Sequence, residues 1–357
     1  IAQAAPAVRA TLGEEFGYPV GTPVTGKMIA AMRRLGFERV YDVNFGADMT
    51  IMEEGSEFLE RLPEIRKTGL PMFTSCCPAW IKYIETAHPE MLKHLSSCKS
   101  PMSMMSPVLV DLLPKKLGIE RENLVVVAIM PCTAKKYECK RDDLARNGRP
   151  DTDYVITTQE LGRMIKEAGI NFNALDNEAY DNPFGEYTGA GTIFGASGGV
   201  AEAAVRTAYE YATGEVLKDV DIKEIRGTSN RSKTVELDIK GTKVVVRVVS
   251  TLKEAEKAIQ EIKDGTANFQ LLEVMACPGG CINGGGQPRS CDDTTIKGQR
   301  AEGLYKEDRE LPVRKSHMNP YIQKIYSEYY EHPGSHKAHE QLHTKYNNKF
   351  SGSYRDV

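Results

Sequence analysis

Three short cysteine-bearing segments constrain this chain more than any other feature. They are Thr74-Ser-Cys-Cys-Pro-Ala-Trp80, Met130-Pro-Cys-Thr-Ala-Lys-Lys-Tyr-Glu138 and Glu273-Val-Met-Ala-Cys-Pro-Gly-Gly-Cys-Ile-Asn-Gly-Gly-Gly-Gln-Pro288. Each starts where an apolar strand candidate ends, at residues 71–74, 124–130 and 269–275. Sites in open α/β folds assemble at the carboxyl ends of strands, so three such loops are expected to converge.

Further strands are expected at 39–43 and 153–157, with helices at 24–35, 49–67, 79–93, 159–168, 199–213 and 252–263. The alternation predicts an α/β fold of two lobes, with mostly parallel sheets flanked by helices. Residues 234–239 and 243–249 alternate polar and apolar around Lys240-Gly241, which reads as a β-hairpin. The stretch 1–9 reads as buried structure although it opens on Ile1 without a Met, so the sequence is expected to be part of a longer polypeptide.

Composition narrows the function. With 357 residues, a net charge of −3 and 41% apolar residues, the chain has a real core and no basic excess to seat on nucleic acid. Its longest apolar run, 124–130, is far short of the roughly 20 residues that cross a bilayer. No export signal is visible, which predicts a cytoplasmic protein.

Eight cysteines in a chain this long are too few for a disulfide scaffold, and several sit beside Gly and Pro. Metal or redox chemistry is the expected use. Candidate ligands at 77, 132, 277 and 281 leave gaps of 55, 145 and 4 residues. Structural zinc sites pair their ligands in short knuckles, whereas an iron–sulfur cluster tolerates dispersed cysteines. The tail from Tyr321 is rich in Tyr and His and reads as two short helices wrapping a larger body. Its histidines are expected on the polar face of a docking helix, with a metal site the alternative.

The three segments, in this order, resemble the three signature sequences of iron-only (FeFe) hydrogenases. Flanking stretches resemble that family too: Ala5-Pro-Ala-Val-Arg9, Asn44-Phe-Gly-Ala-Asp-Met-Thr-Ile-Met-Glu-Glu54, Ile156-Thr-Thr-Gln-Glu160, Gly185-Glu-Tyr-Thr-Gly-Ala-Gly191 and Ile193-Phe-Gly-Ala-Ser-Gly-Gly199. The tail, with Asn319-Pro-Tyr-Ile322 and His332-Pro-Gly-Ser-His-Lys-Ala-His-Glu340, resembles the family's small subunit fused at the C-terminus. A catalytic domain at 1–315 and a small-subunit-like region at 316–357 are therefore expected, with upstream electron-transfer domains lying outside this sequence.

The resemblance implies the reaction H2 ⇌ 2 H⁺ + 2 e⁻ at a buried H-cluster between the lobes. Cys77, Cys132, Cys277 and Cys281 would hold its 4Fe-4S cubane, with Cys281 bridging to a dinuclear iron subsite that bears CO, CN⁻ and a dithiolate amine. Lys135 would hydrogen-bond one cyanide; Ser100 and the backbone near Pro6 and Ala7 would serve the other. Met130, Met275 and Phe194 would pack the dinuclear site. Cys76 would be the first proton shuttle, followed outward by Glu57, Ser96 and Glu54, with Arg61 at the outer end. The implied partners are H2, protons, maturation proteins, and a ferredoxin or upstream iron–sulfur modules.

Met102 stands where many members carry glutamine, and Cys98, Cys139 and Cys291 have no role in the matched scheme. They are expected to be buried small hydrophobes, with a redox-protective role the alternative for Cys98. Two other readings share the motifs: an iron–sulfur assembly scaffold holding cubanes only, and a hydrogen sensor. A zinc or disulfide protein is a more distant reading.

Overall fold

The computed structural model describes residues 1–146, 148–182, 184–239, 241–289 and 293–349. Among the described residues ten strands run in chain order: β1 Ala2–Ala4, β2 Val40–Asp42, β3 Met72–Phe73, β4 Val127–Met130, β5 Ala145–Arg146, β6 Arg149–Pro150, β7 Tyr154–Thr157, β8 Ser232–Ile239, β9 Thr242–Ser250 and β10 Leu271–Met275. One sheet has the order β2-β1-β4-β7 and is parallel throughout, in register Ala2↔Val40 and Ala2↔Val127. The other, β3-β10-β9-β8, is parallel except for the β8–β9 hairpin. Strands β5 and β6 form a small antiparallel ribbon. This is the two-sheet, helix-flanked α/β architecture that the sequence pattern predicts.

Strand β1 is central to its sheet although Ala-Gln-Ala carries no strand propensity. Ladders to β2 and β4 on its two sides hold it there, and its residues are fully buried. Strand β10 is buried on both faces, as a central parallel strand must be. Its one charged residue, Glu273, accepts the backbone N–H groups of Gly198 and Ala201 at 2.7 Å each, at the start of the helix Gly199–Thr213. An anion there satisfies orphan donors and meets the positive end of the helix dipole.

Two helices differ from the sequence pattern for readable reasons. The helix expected at 79–93 stops at Ala87, because His88 precedes Pro89 and is pushed out of the α region; a short 3-10 turn, Pro89–His94, follows. The helix expected from 49 begins at Asn44 and runs 25 residues to Thr68. Gly46 lets its first turns meet the helix Pro101–Pro107, since a Cβ there would lie 2.3 Å from the Pro101 carbonyl oxygen.

The tail forms helices Pro320–Ile325 and His336–Leu342, joined through a π-turn at Tyr326–Tyr330. Ile322, Ile325, Tyr326, Tyr330, Ala338 and Leu342 are buried in one cluster with Phe45, Met49, Met104 and Met105. The tail then pairs with the segment before Ser100: Lys99 N donates to Leu342 O at 2.9 Å and Thr344 N to Ser97 O at 2.8 Å. No described helix is long and apolar enough to cross a membrane.

The loop after β1 is anchored by a buried ion pair. Both Asp42 oxygens accept from Arg9 Nη2 at 2.7 Å, and the two side chains are 2% exposed or less. Tyr187 and Glu307 sit at 3.2 and 3.4 Å from Nη1. Removing one partner leaves a buried charge uncompensated. Asp42→Ala is expected to lower unfolding free energy by about 3–5 kcal/mol in urea titration of the full chain. A loss below about 1 kcal/mol would contradict the anchoring role.

Candidate cofactor pocket and proton path

The carboxyl ends of β1, β3, β4 and β10 open onto one cavity. After β1 come Ala5, Pro6 and Ala7; after β3, Cys76 and Cys77; after β4, Pro131, Cys132 and Lys135; after β10, Ala276, Cys277, Gly280 and Cys281. Met102, Met130, Phe194 and Met275 complete an almost wholly apolar wall. The three loops do converge.

Local chemistry fixes each thiol. Cys77 caps the helix Pro78–Ala87, whose first residue is the proline that favours that position. Cys132 accepts the backbone N–H groups of Ala134 and Lys135, and Cys277 accepts that of Gly285. Gly280 has φ +98°, and a Cβ on it would meet Ser197 N at 2.5 Å, so only glycine turns the chain toward Cys281 here. All four are free thiols. Burial is the main force raising their pKa values, taking Cys277 up to about 12 and raising Cys132 and Cys281 as well. The charges of their neighbouring thiols add to this.

That donor set tests what the cavity holds. Four clustered thiols that resist ionisation become good ligands only beside strong positive charge. Backbone N–H groups aimed at two of the sulfurs suit thiolates ligating metal. The cavity extends past the thiols along Pro6, Ala7, Met102, Met130, Phe194 and Met275, more wall than a single ion needs. The residues fit a cubane with a second, apolar-walled group beside it.

Lys135 is the one cation on the wall. Its Nζ lies 2.6 Å from Glu138 Oε2, 2.7 Å from Ser100 Oγ and 3.4 Å from the Cys76 carbonyl oxygen. Carboxylate and thiol neighbours outweigh burial and hold it charged. Ser100 links Lys135 to Glu138. Its hydroxyl accepts from Lys135 and donates to Glu138, and its neighbours Pro101 and Met102 line the cavity in its place. Glu138 and Ser103, whose hydroxyl donates to Glu138 at 2.7 Å, are positioning residues not singled out in the sequence. The i, i+3 spacing of Lys135 and Glu138 on one helical turn was the available signal.

Cys76 faces the cavity beside Cys77 and Cys281, and burial keeps its thiol protonated far above the usual range. Glu54 is the next strongest influence on it. Burial, reinforced by the charge of Glu57, pushes Glu54 up to about 8. Ser96 tempers that rise, and its Oγ donates to Glu57 Oε2 at 2.7 Å, while Glu54 Oε1 is buried without a hydrogen-bond partner. Glu57 pairs with Arg61 at 3.1 Å, and Arg61, 29% exposed, also donates to the Lys93 and Leu95 carbonyls. The order outward is therefore Cys76, Glu54, Ser96, Glu57, Arg61. The resemblance implies the opposite order for the two glutamates; here Glu54 sits one helical turn nearer the buried start of its helix than Glu57.

The remaining cysteines divide. Cys139 is packed in an apolar cluster, as expected of a small hydrophobe. Cys98 is fully buried but faces polar groups, with Sγ 3.6 Å from Glu57 Oε2 and 3.9 Å from His343 Nδ1. Cys291 lies outside the described residues. His332, His336 and His339 are exposed, whereas His343 is buried.

Comparison with known proteins agrees with the geometry. Residues 1–285 match the family model for the iron only hydrogenase large subunit, C-terminal domain, and residues 294–349 that for the iron hydrogenase small subunit. The NADP-reducing hydrogenase subunit HndD of Solidesulfovibrio fructosivorans is 49% identical over 350 residues, covering 97% of this chain and 60% of that protein. An apo [FeFe]-hydrogenase HydA1 structure from Chlamydomonas reinhardtii superposes with a TM-score of 0.85 at 40% identity, covering 98% of this chain and 94% of that one. The cytosolic Fe-S cluster assembly factor narfl of Xenopus tropicalis is 31% identical, covering 90% of this chain and 68% of that protein. The chain spans about 60% of the length of the first two curated relatives it matches.

Proposed function

This chain belongs to the iron-only (FeFe) hydrogenases, and on that premise we propose that it interconverts H2 with two protons and two electrons. The family's cofactor is the H-cluster. When bound it supplies heterolytic cleavage of H2 and storage of the electrons. Cys77, Cys132, Cys277 and Cys281 would hold it. The observation that carries the reading is the pairing of a four-thiol cavity with a fifth thiol, Cys76, that has its own path to the surface.

The residues have separable work. The apolar wall excludes water, so the Lys135 ammonium acts in a low dielectric, where a donor to a developing or bound anion is strongest. Glu138, Ser100 and the Cys76 carbonyl fix that ammonium in place. The Cys76 S–H takes and gives one proton at its Sγ. The Ser96 hydroxyl gives its one proton to Glu57, and Ser96 also acts on Glu54, so it lies between the two carboxyls. A proton passes from Glu54 to Ser96 as the Ser96 proton passes to Glu57; once Glu57 has released it outward, the Ser96 hydroxyl turns back to Glu57 and Glu54 takes a new proton from Cys76 before the next transfer.

Glu54 gives a pH-dependent test. Its folded pKa of about 8 lies above the ~4.3 of an unfolded glutamate. Its contribution to stability is then complete below about pH 4 and is lost as pH rises toward 8. Glu54→Gln is expected to flatten the fall in urea midpoint between about pH 5 and 8, and to slow H2 evolution about 100-fold or more. An unchanged slope would contradict the buried, protonated state.

H/D exchange between H2 and heavy water by the anaerobically matured chain tests the function. Exchange within the first minutes supports it; none, with cofactor loaded, overturns it. The electron partner we propose is a ferredoxin-type protein or iron–sulfur modules upstream in the full-length protein. The assembly-scaffold reading would need neither a thiol beyond the four ligands nor a cation aimed into the cavity, and Cys76 and Lys135 are both on its wall.

A further inference from the structure

A second group of metal-ligand side chains lies outside the cofactor cavity. Glu57, Cys98 and His343 place one ligand atom each within 4.8 Å of one another. The tail brings them together: Cys98 and His343 face each other across an antiparallel bridge, flanked by the Lys99–Leu342 and Thr344–Ser97 backbone bonds.

We propose that Glu57, Cys98 and His343 form a binding site for a divalent cation of zinc's type, whose occupation takes Glu57 out of the proton path. Zinc bonds of about 2.3 Å to sulfur and about 2.0–2.1 Å to nitrogen or oxygen, at tetrahedral angles, set sulfur about 3.5 Å from each other ligand. Cys98 Sγ stands 3.6 Å from Glu57 Oε2 and 3.9 Å from His343 Nδ1, so a few tenths of an ångström of adjustment closes the site. The mixed sulfur, nitrogen and oxygen set is the one zinc accepts and magnesium or calcium does not.

The surroundings complete the case. Metal-bound histidines give their other ring nitrogen to a carboxylate, and His343 Nε2 lies 2.9 Å from Glu53 Oε2. Glu53 is itself held by the Tyr326 hydroxyl at 2.6 Å and Gly334 N at 2.8 Å. Arg61 pairs with Glu57 through Oε1, leaving Oε2 turned to Cys98. With the Cys98 thiol proton released to water, the carboxylates of Glu53 and Glu57, the thiolate and the Arg61 guanidinium sum to minus two, which a divalent cation cancels. The Ser97 hydroxyl now on His343 Nδ1 and the Ser96 hydroxyl on Glu57 Oε2 are what the cation would displace.

The inhibitory consequence rests on the proposed function; the binding does not. The matured full-length chain is titrated with zinc chloride and read in two ways. Zinc-edge X-ray absorption is expected to show one sulfur near 2.3 Å with nitrogen and oxygen near 2.0 Å. In Cys98→Ser the sulfur scatterer is expected to vanish, and in both Cys98→Ser and His343→Ala affinity is expected to fall at least about 10-fold. H2 evolution, taken relative to each variant's own zinc-free rate, is expected to need at least about 10-fold more zinc for half-inhibition in Cys98→Ser than in wild type. A shell of three or four sulfurs would put zinc among the cofactor thiols and overturn the proposal, as would a sulfur-free shell or equal affinity in Cys98→Ser. If the loaded chain turns over no H2, the proposed function fails, and the absorption spectrum still decides the site.

Discussion

Cys76→Ala is expected to leave iron content at the wild-type level and lower H2 turnover about 100- to 10,000-fold, whereas Cys77→Ala, one residue away, loses the iron itself. The contrast follows from local geometry. Cys77 caps the helix Pro78–Ala87 and lies among Cys132, Cys277 and Cys281. Cys76 shares the cavity wall, but the carboxylate with the greatest influence on it is Glu54, the innermost of the polar groups that lead to Arg61. Alanine at 76 removes a proton carrier with little change in volume, so binding of the cofactor survives. Iron and acid-labile sulfide assays run beside H2 evolution check both halves. Loss of iron in Cys76→Ala, or full activity in it, would remove the division of labour between the two thiols.

Cys281→Ala is expected to abolish activity outright and to prevent loading of the dinuclear subsite. Its thiol is reached by a turn that only glycine at 280 permits, and it lies next to the apolar end of the cavity in a cluster with Phe194, Met275 and Ile282. The apolar packing that shapes this end of the site is unaffected by the substitution, so the full chain should keep its wild-type circular dichroism. Elemental analysis after maturation checks the loss. Wild-type iron in Cys281→Ala would show that the remaining three thiols suffice, and the assignment of Cys281 would fall.

The sequence made the convergence of these four cysteines legible because each sits beside Gly or Pro after an apolar strand run, and such strand ends are where α/β folds build sites. The hairpin β8–β9 and the helices Gly199–Thr213 and Leu252–Lys263 were legible from periodicity alone. Other features depend on contacts no pattern carries. The three residues of β1 become a strand only because neighbours pair with both edges. The helix Thr294–Glu310 was missed because its buried face holds Lys297, Arg300 and Asp308, the last two paired with Glu14, Arg206 and Arg314. The order of Glu54 and Glu57 depends on which end of a helix is buried. His343 reaches Cys98 and Glu57 across more than 240 residues of sequence, through tail pairing that leaves no local signature.

The central claim is that this cavity holds an H-cluster, and infrared spectroscopy of the anaerobically matured full chain tests it most directly. The account predicts absorption bands in the CO and CN⁻ stretching region, shifted by Lys135→Met because the buried ammonium aimed into the cavity is gone. A chain matured under competent conditions that carries cubane-level iron and shows no such bands would contradict it, and would leave an iron–sulfur scaffold in its place.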